Sequence, residues 1–470
     1  MKEKMRFISI LLALILILSS CGKGTENVED KDKVDENSSI KKEDTVNNES
    51  LDFSGSQKIE IKGFDWGPGV IKTIITLDKE IDSNKLNKED FTIIEKKESF
   101  DWEKFEKEGE APEHIIVESP RTVEDVYICD ENGEKIDGEK SKNIAIETKA
   151  TPDEGNPFIY SMNTGFNNWC DPYEQHISVD SNDYIASFEI DPKIDLSDDS
   201  QVKILGIEKF DYGEFTASDG KKLTYADYKP EEDGKKKALV IWLHGAGEGG
   251  SDPRIPILAN RAAAFADDSF QNLFEGGAYY LVPQTPTFWM DIGGGQMDES
   301  IGNKQSIYNL SLKELIDNYV EENPDIDPKR IIIGGCSNGG FMTYDMIMEY
   351  SDYFAAGFPV CPPYEAKNVT DEKLSNIKDI PIWVIYAAND DTVDPKTNEE
   401  TMNELFKNTD MKDYRVTVFD DVHDSSGEFK DEDGNPYQYN GHWSWIYVYN
   451  DEVVDENGTR LFDWISEQSN

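Results

Sequence analysis

Residues 330–346, RIIIGGCSNGGFMTYDM, constrain what this chain can fold into more than any other stretch. An apolar strand runs into Gly335-Cys336-Ser337-Asn338-Gly339, then into Gly340 and a helix pattern. The flanking glycines remove Cβ atoms that a sharp strand-to-helix turn cannot accommodate. A serine at the apex stands clear of the backbone. The helix N-terminus behind it aims amide N–H groups at whatever negative charge develops there. Successive side chains at a tight turn point different ways, so the glycine spacing selects Ser337 as the nucleophile. Cys336 is then expected beneath the turn.

The surroundings have the same grammar. After about residue 206, strands alternate with helix-length segments, as in a mostly parallel sheet flanked by helices. KALVIWLHG is a continuous apolar run, as a strand buried on both faces should be. AYYLVPQ, RIIIGGC, AAGFPVC, PIWVIYAAND and RVTVFDD follow it. Helix candidates lie between them and after them, ending in TRLFDWISEQS. FDYGEFTAS and KKLTYADYKP read as an opening antiparallel hairpin. From 58 to 205 the chain instead shows short strands between turns, including IEIKGF, GVIKTIITL, DFTIIEK and NIAIET. That spacing predicts an all-β sandwich. GFNNWCDPYEQH, inside this region, is expected to pack against the second domain.

The N-terminus begins MKEKMRFISILLALILILSSC. A basic start, an apolar run too short to span a bilayer, and small residues before Cys21 resemble a bacterial lipoprotein signal. The expectation is a signal peptide at 1–20 and a lipidated Cys21 that tethers the protein to the outer face of a membrane. Residues 21–57 read as an acidic disordered linker, 58–205 as the β domain and 206–470 as the α/β domain.

The net charge of −49 excludes a nucleic-acid footprint, which needs a basic patch. A neutral substrate is not penalised by such a surface. Cys129, Cys170, Cys336 and Cys361 show no metal-binding spacing, so no metal and no cofactor is expected.

Two further loops carry chemistry. LHGAGEGGSD follows the strand KALVIW, and its glycines let backbone approach a carbonyl oxygen. The oxyanion donors are expected to be the N–H groups of Ala246 and Asn338, with Gly247 as the alternative to Ala246. His244 precedes the nucleophile, out of order for a base, and reads as a structural residue. PIWVIYAANDDTVDP ends a strand in Asp390, Asp391 and Asp394. The acid that orients an imidazole is expected at Asp390, with Asp391 as the rival. PQTPTFWMD follows a strand on the same edge, so Trp289 is a candidate pocket residue.

On LHGAGEGG, GCSNGGFMTYDM, ANDDTV and GHWSW, residues 210–470 resemble the α/β-hydrolase superfamily. Within it they are similar to bacterial esterases and "predicted peptidases" related to polyhydroxybutyrate depolymerases. Some of those esterases carry an N-terminal immunoglobulin-like domain, which the resemblance implies for 58–205. It also implies a Ser-His-Asp serine carboxylesterase acting on short acyl or acylated carbohydrate esters. A peptidase with the same triad is the nearest alternative. A surface carbohydrate-binding or adhesin-like protein with an idle hydrolase domain is the alternative from another class.

The general base remains to be chosen. His423 stands where a short loop after RVTVFDD would place it. His442 lies further on, in a loop longer than compact domains usually keep. GHWSW resembles the G-H-x-S-W pattern around the catalytic histidine of the esterases. Trp443 and Trp445 would supply an apolar wall beside it, with Trp443 a second candidate pocket residue. His442 is therefore the expected base and His423 the alternate.

Overall fold

The computed structural model describes residues 49–101, 104, 113–181, 184–297, 305–407, 411 and 413–470. The expected signal peptide, Cys21 and most of the expected linker lie outside the described residues. None of the described helices is long and apolar enough to cross a membrane.

The first half is built from strands rich in Ile, Val and Phe. They are β1 (Glu49–Phe64), β2 (Gly67–Asp82), β3 (Phe91–Phe100), β4 (His114–Arg121), β5 (Val123–Cys129) and β6 (Lys140–Thr148). A small hairpin, β7 (Phe158–Ser161) and β8 (Phe166–Trp169), precedes β9 (Tyr173–Asp180), β10 (Tyr184–Ile190) and β11 (Val202–Leu205). The strands form one hydrogen-bonded path in the order β4-β3-β9-β10-β1-β2-β6-β5, with β11 also paired to β1. The path folds over on itself. Phe91 and Ile93 of β3 share one apolar cluster with Ile75 and Leu77 of β2 and Ile144 and Ile146 of β6. This is the immunoglobulin-like β domain that the sequence suggested. One boundary needs correction. Residues 49–57, read as the end of the linker, belong to β1, where Phe53 is buried and the backbone pairs with β10.

The second half is an α/β-hydrolase sheet. Its strands are β12 (Asp211–Thr216), β13 (Lys222–Tyr228), β14 (Lys237–Leu243), β15 (Tyr279–Gln284), β16 (Ile326–Cys336), β17 (Ala356–Val360), β18 (Ile382–Ala387) and β19 (Tyr414–Phe419). They are ordered β12-β13-β15-β14-β16-β17-β18-β19. β12 and β13 form the expected antiparallel hairpin, and every pair from β15/β14 onward is parallel. β14 is buried at all its positions, which explains its unbroken apolar sequence. The flanking helices include α1 (Asn309–Glu322), α2 (Asn338–Glu349), α3 (Pro395–Lys407) and α4 (Leu461–Glu467). β14 and β16 are neighbours, so the ends Leu243 and Cys336 lie side by side. Ligands of open parallel sheets bind at these carboxyl ends.

The two halves pack through specific contacts. Asp65, at the β1–β2 turn, accepts from Arg261 Nη1 at 3.3 Å and from Asn450 Nδ2 at 2.9 Å. Trp169 Nε1 donates to Asp252 Oδ2 at 2.8 Å, and the Arg254 guanidinium lies 5.4 Å from the Trp169 ring. Phe429 meets Trp66 edge-on, with ring centroids 6.1 Å apart. Burying a side chain as large as Trp66 contributes about 2–3 kcal/mol. GFNNWCDPYEQH thus packs on the second domain as expected.

Candidate active site

The turn after β16 is as tight as its sequence requires. Ser337 sits at φ +52° and ψ −117°, and its N–H donates to Val360 O at 2.9 Å. A non-glycine residue held there stores strain, a feature concentrated at functional sites. A Cβ on Gly339 would lie 2.0 Å from Leu243 O, and one on Gly335 would lie 2.6 Å from the same atom. Only glycine lets the end of β14 pass this close to the elbow. Cys336 is wholly buried below, and burial pushes its thiol well above the ordinary range. A thiol so placed is a poor rival to Ser337.

His442 lies across from the serine. Its Nε2 is 2.8 Å from Ser337 Oγ, and its Nδ1 is 2.8 Å from Asp390 Oδ2. The other carboxylate oxygen, Asp390 Oδ1, accepts from the N–H groups of Thr392 and Val393, both at 2.9 Å. These bonds fix the acid and leave one oxygen for the imidazole. His442 is 3% exposed and Asp390 5%, so little water competes for either. Burial disfavours an imidazolium, but the Asp390 carboxylate, with Cys361 adding to it, outweighs that and holds the His442 pKa well above its ordinary value. Asp391 is exposed and makes no contact of this kind among the described residues.

The long loop explains how His442 arrives. Residues 422–439 double back on themselves. Tyr439 N–H donates to Val422 O, Asp424 N–H to Tyr437 O, and His423 bridges Gln438. Buried Asp424 ties the near end, accepting from Ser426 Oγ and from Gly427 N–H, each at 2.8 Å. Asn440 then caps the 3-10 turn Gly441–Trp443 by accepting the His442 N–H at 2.8 Å. His423 is left at the half-exposed rim, where its Nδ1 pairs with Asp421 Oδ1 at 2.7 Å. It does not meet Ser337.

The loop after β14 forms a 3-10 turn, Ala246–Glu248. Ala246 and Gly247 border the same cavity as Ser337 and His442. Asn338 opens α2, where first-turn N–H groups have no acceptor within the helix. His244 is structural. Its Nδ1 meets Gly245 O at 2.7 Å and its Nε2 accepts from Thr285 N–H at 3.2 Å. Burial pulls its imidazole down to about 4.

Glu248 sits under this loop and accepts the Gly245 N–H at 2.7 Å. Burial pushes its carboxyl up to about 8, against that bond and its contact with Asn260. The folded value lies above the ordinary 4.5, so the fold retains a proton that the unfolded chain releases. The resulting stability is fully present below pH 4.5 and is lost as pH rises toward 8. At about 1.4 kcal/mol per pH unit, some 2 kcal/mol goes between pH 6.5 and 8. Denaturant unfolding across that range should show wild type losing this increment relative to Glu248→Gln. Parallel curves for the two proteins would contradict a proton on Glu248.

The cavity over Ser337 has a volume of about 240 Å³. Both halves of the chain line it, with Trp66, Phe158 and Tyr160 from the first and Met290, Trp443 and Trp445 from the second. The Trp445 ring stands edge-on to His442, with centroids 5.3 Å apart. Trp443 takes the pocket position expected of it, and Trp289 does not. The Trp289 N–H is captured by Asn338 Oδ1 at 2.6 Å, and its indole is wholly buried against His244. Met290, one residue on, reaches the cavity instead. The wall from the first half has no signature in the sequence. The β1–β2 turn and the β7–β8 hairpin supply it, and the hairpin also presses on the loop after β14. A Cβ on Gly249 would lie 2.6 Å from the Phe166 ring. Cys361 was also missed. Its Sγ, an Asp390 oxygen and a His442 nitrogen lie within 4.8 Å of one another.

Comparison with known proteins finds esterases and a related depolymerase. Residues 59–186 match the esterase Ig-like N-terminal domain, and residues 230–430 match the phospholipase/carboxylesterase family. Among curated proteins, poly(3-hydroxyalkanoate) depolymerase C of Paucimonas lemoignei is 42% identical over 137 residues. That stretch is 27% of this chain and 28% of the relative, so the chain spans under a third of the protein it matches. Among solved structures, a thermostable esterase superposes with a TM-score of 0.61 at 25% identity, covering 88% of this chain and 100% of its own.

Proposed function

From a chain that joins an esterase Ig-like N-terminal domain to an α/β-hydrolase domain of the phospholipase/carboxylesterase type, we propose a serine carboxylesterase that works through Ser337, His442 and Asp390. The observation that carries this reading is the unbroken relay at 2.8 Å and 2.8 Å from Ser337 Oγ through the imidazole to Asp390.

Ser337 Oγ attacks the ester carbonyl while His442 Nε2 takes its proton. Asp390 holds Nδ1–H and stabilises the imidazolium. The tetrahedral oxyanion accepts from the N–H groups of Ala246 and Asn338. His442 then protonates the leaving alcohol. Water, activated by the same imidazole, releases the acid from the acyl-enzyme. Short acyl esters or acylated carbohydrates suit the cavity, whose aromatic walls offer flat apolar surface and whose Asn156, Asn167 and Asn260 offer polar partners.

p-Nitrophenyl acetate and butyrate should be hydrolysed well above background, and the matched p-nitroanilides at least about 100-fold more slowly. Faster turnover of the amides would replace this reading by a peptidase. We also infer tethering to the outer face of a membrane through a lipid on Cys21, from the basic start, apolar run and Ser19-Ser20-Cys21. Cys21→Ser should move the protein from the membrane fraction to the soluble one. Continued membrane association of that variant would contradict a lipid anchor.

A further inference from the structure

Ester hydrolysis assigns no task to Cys361, although it stands beside the imidazole. It follows β17 directly and its N–H donates to Ile385 O at 2.7 Å. Its backbone is held at φ +37°, a region that residues with a Cβ seldom occupy. The side chain is fully buried. The thiol sulfur, an oxygen of Asp390 and a nitrogen of His442 converge within 4.8 Å, and all three residues are buried. They come from the end of β17, the end of β18 and the doubled-back loop after β19.

We propose that Cys361, Asp390 and His442 form a site for one thiophilic divalent cation, of the zinc or cadmium class, and that filling it switches the hydrolase off. The second half of this statement rests on the Ser337 reading above. The first half does not.

The ligand chemistry is suited to such an ion. Thiolate, carboxylate and neutral imidazole are the three donor types that bind zinc, at about 2.3 Å for sulfur and about 2.0–2.2 Å for nitrogen and oxygen. Around a tetrahedral ion those atoms stand about 3.3–3.8 Å apart, so the Asp390–His442 pair, at 2.8 Å, must open slightly while the thiol, within 4.8 Å of both, closes in. Two anionic ligands neutralise a 2+ charge, which matters in a site with little water. Of the three, His442 borders the cavity, so an ion would enter past the imidazole, and the cavity side offers a fourth position for water or Ser337 Oγ. Calcium and magnesium prefer oxygen ligands and do not compete for a sulfur-containing set.

Binding is a ligand exchange without electron transfer. The Cys361 S–H bond breaks, a metal–sulfur bond forms and one proton goes to solvent. The imidazole binds in its neutral form with a single ring proton, an imidazolium first losing its other proton to solvent. If the ion takes Nδ1, the Asp390 bond is displaced and the ring proton resides on Nε2, which then donates to Ser337 instead of accepting from it. If the ion takes Nε2, Ser337 loses its acceptor outright. In both cases the serine proton has no base.

The test titrates the full chain with cadmium and zinc chlorides while recording two signals. One is the ultraviolet thiolate-to-cadmium charge-transfer band, and the other is p-nitrophenyl butyrate turnover. The expected result is a band that saturates at one ion per chain, with activity lost in step and restored by EDTA. Magnesium should do neither. Cys361→Ser should weaken cadmium binding by roughly 100-fold or more and remove the inhibition, while Cys336→Ser retains both. No band in the unmodified protein, or equal inhibition of Cys361→Ser, overturns the site.

Ser337→Ala should keep the band, so the site is judged even if ester hydrolysis fails. If Cys361→Ser does not fold, the unmodified protein still decides. The band must then saturate at the cadmium concentration that stops fluorophosphonate labelling of Ser337. A saturated band with undiminished labelling overturns the switch.

Discussion

Ser337→Ala should lower ester turnover by about 10⁵–10⁶-fold and leave the fold intact. The size follows from the division of labour in the site. Without the hydroxyl no acyl-enzyme forms, and only the oxyanion donors and substrate binding remain to help water attack. Stability should change little. The strained φ of +52° is borne by serine and alanine alike, and the loss is one hydrogen bond to His442, worth about 1 kcal/mol. Steady-state rates on p-nitrophenyl butyrate, with a thermal melt of the same samples, measure both. Turnover that persists in a folded Ser337→Ala would place the chemistry elsewhere.

The second large effect separates two histidines in one loop. His442→Ala should cost about 10⁴–10⁶-fold in kcat, because the serine proton then has no acceptor and Asp390 faces an empty space. His423→Ala should stay within about threefold, since a half-exposed hydrogen bond to Asp421 contributes little to anything. A pH profile adds an independent readout. The Asp390 carboxylate raises His442 above the ordinary 6.5, so kcat/KM should rise with pH along a limb centred above that value. Asp390→Asn removes the raising charge and should shift the limb downward while slowing the reaction. A larger loss from His423→Ala than from His442→Ala would reverse the assignment.

Much of this site was legible because its chemistry is local. Ser337 declares itself through the glycines that the elbow needs, and Gly335 and Gly339 do abut Leu243 O. Asp390 declares itself at the end of an apolar strand. His442 was harder, since its place depends on residues 423–438 doubling back. Chain position favoured His423, and the GHWSW pattern corrected that.

What sequence could not show is set by long-range neighbours. Cys361 meets His442 only because β17 and β18 are adjacent and the loop after β19 returns over both. Trp66, Phe158 and Tyr160 reach the cavity only because the two domains pack face to face. Residues 49–57 look polar and linker-like, yet β10, more than a hundred residues on, holds them as strand. Trp289 follows a strand at the right edge of the sheet, but one hydrogen bond from its backbone to Asn338 turns the indole into the core.

A single activated nucleophile, Ser337, is expected to serve this cavity. A fluorophosphonate probe followed by peptide mass spectrometry tests it most directly. One adduct per chain is expected, on Ser337 within GGCSNGG, abolished in His442→Ala and retained in His423→Ala. No adduct in the folded wild-type protein, or an adduct on any other residue, would contradict it.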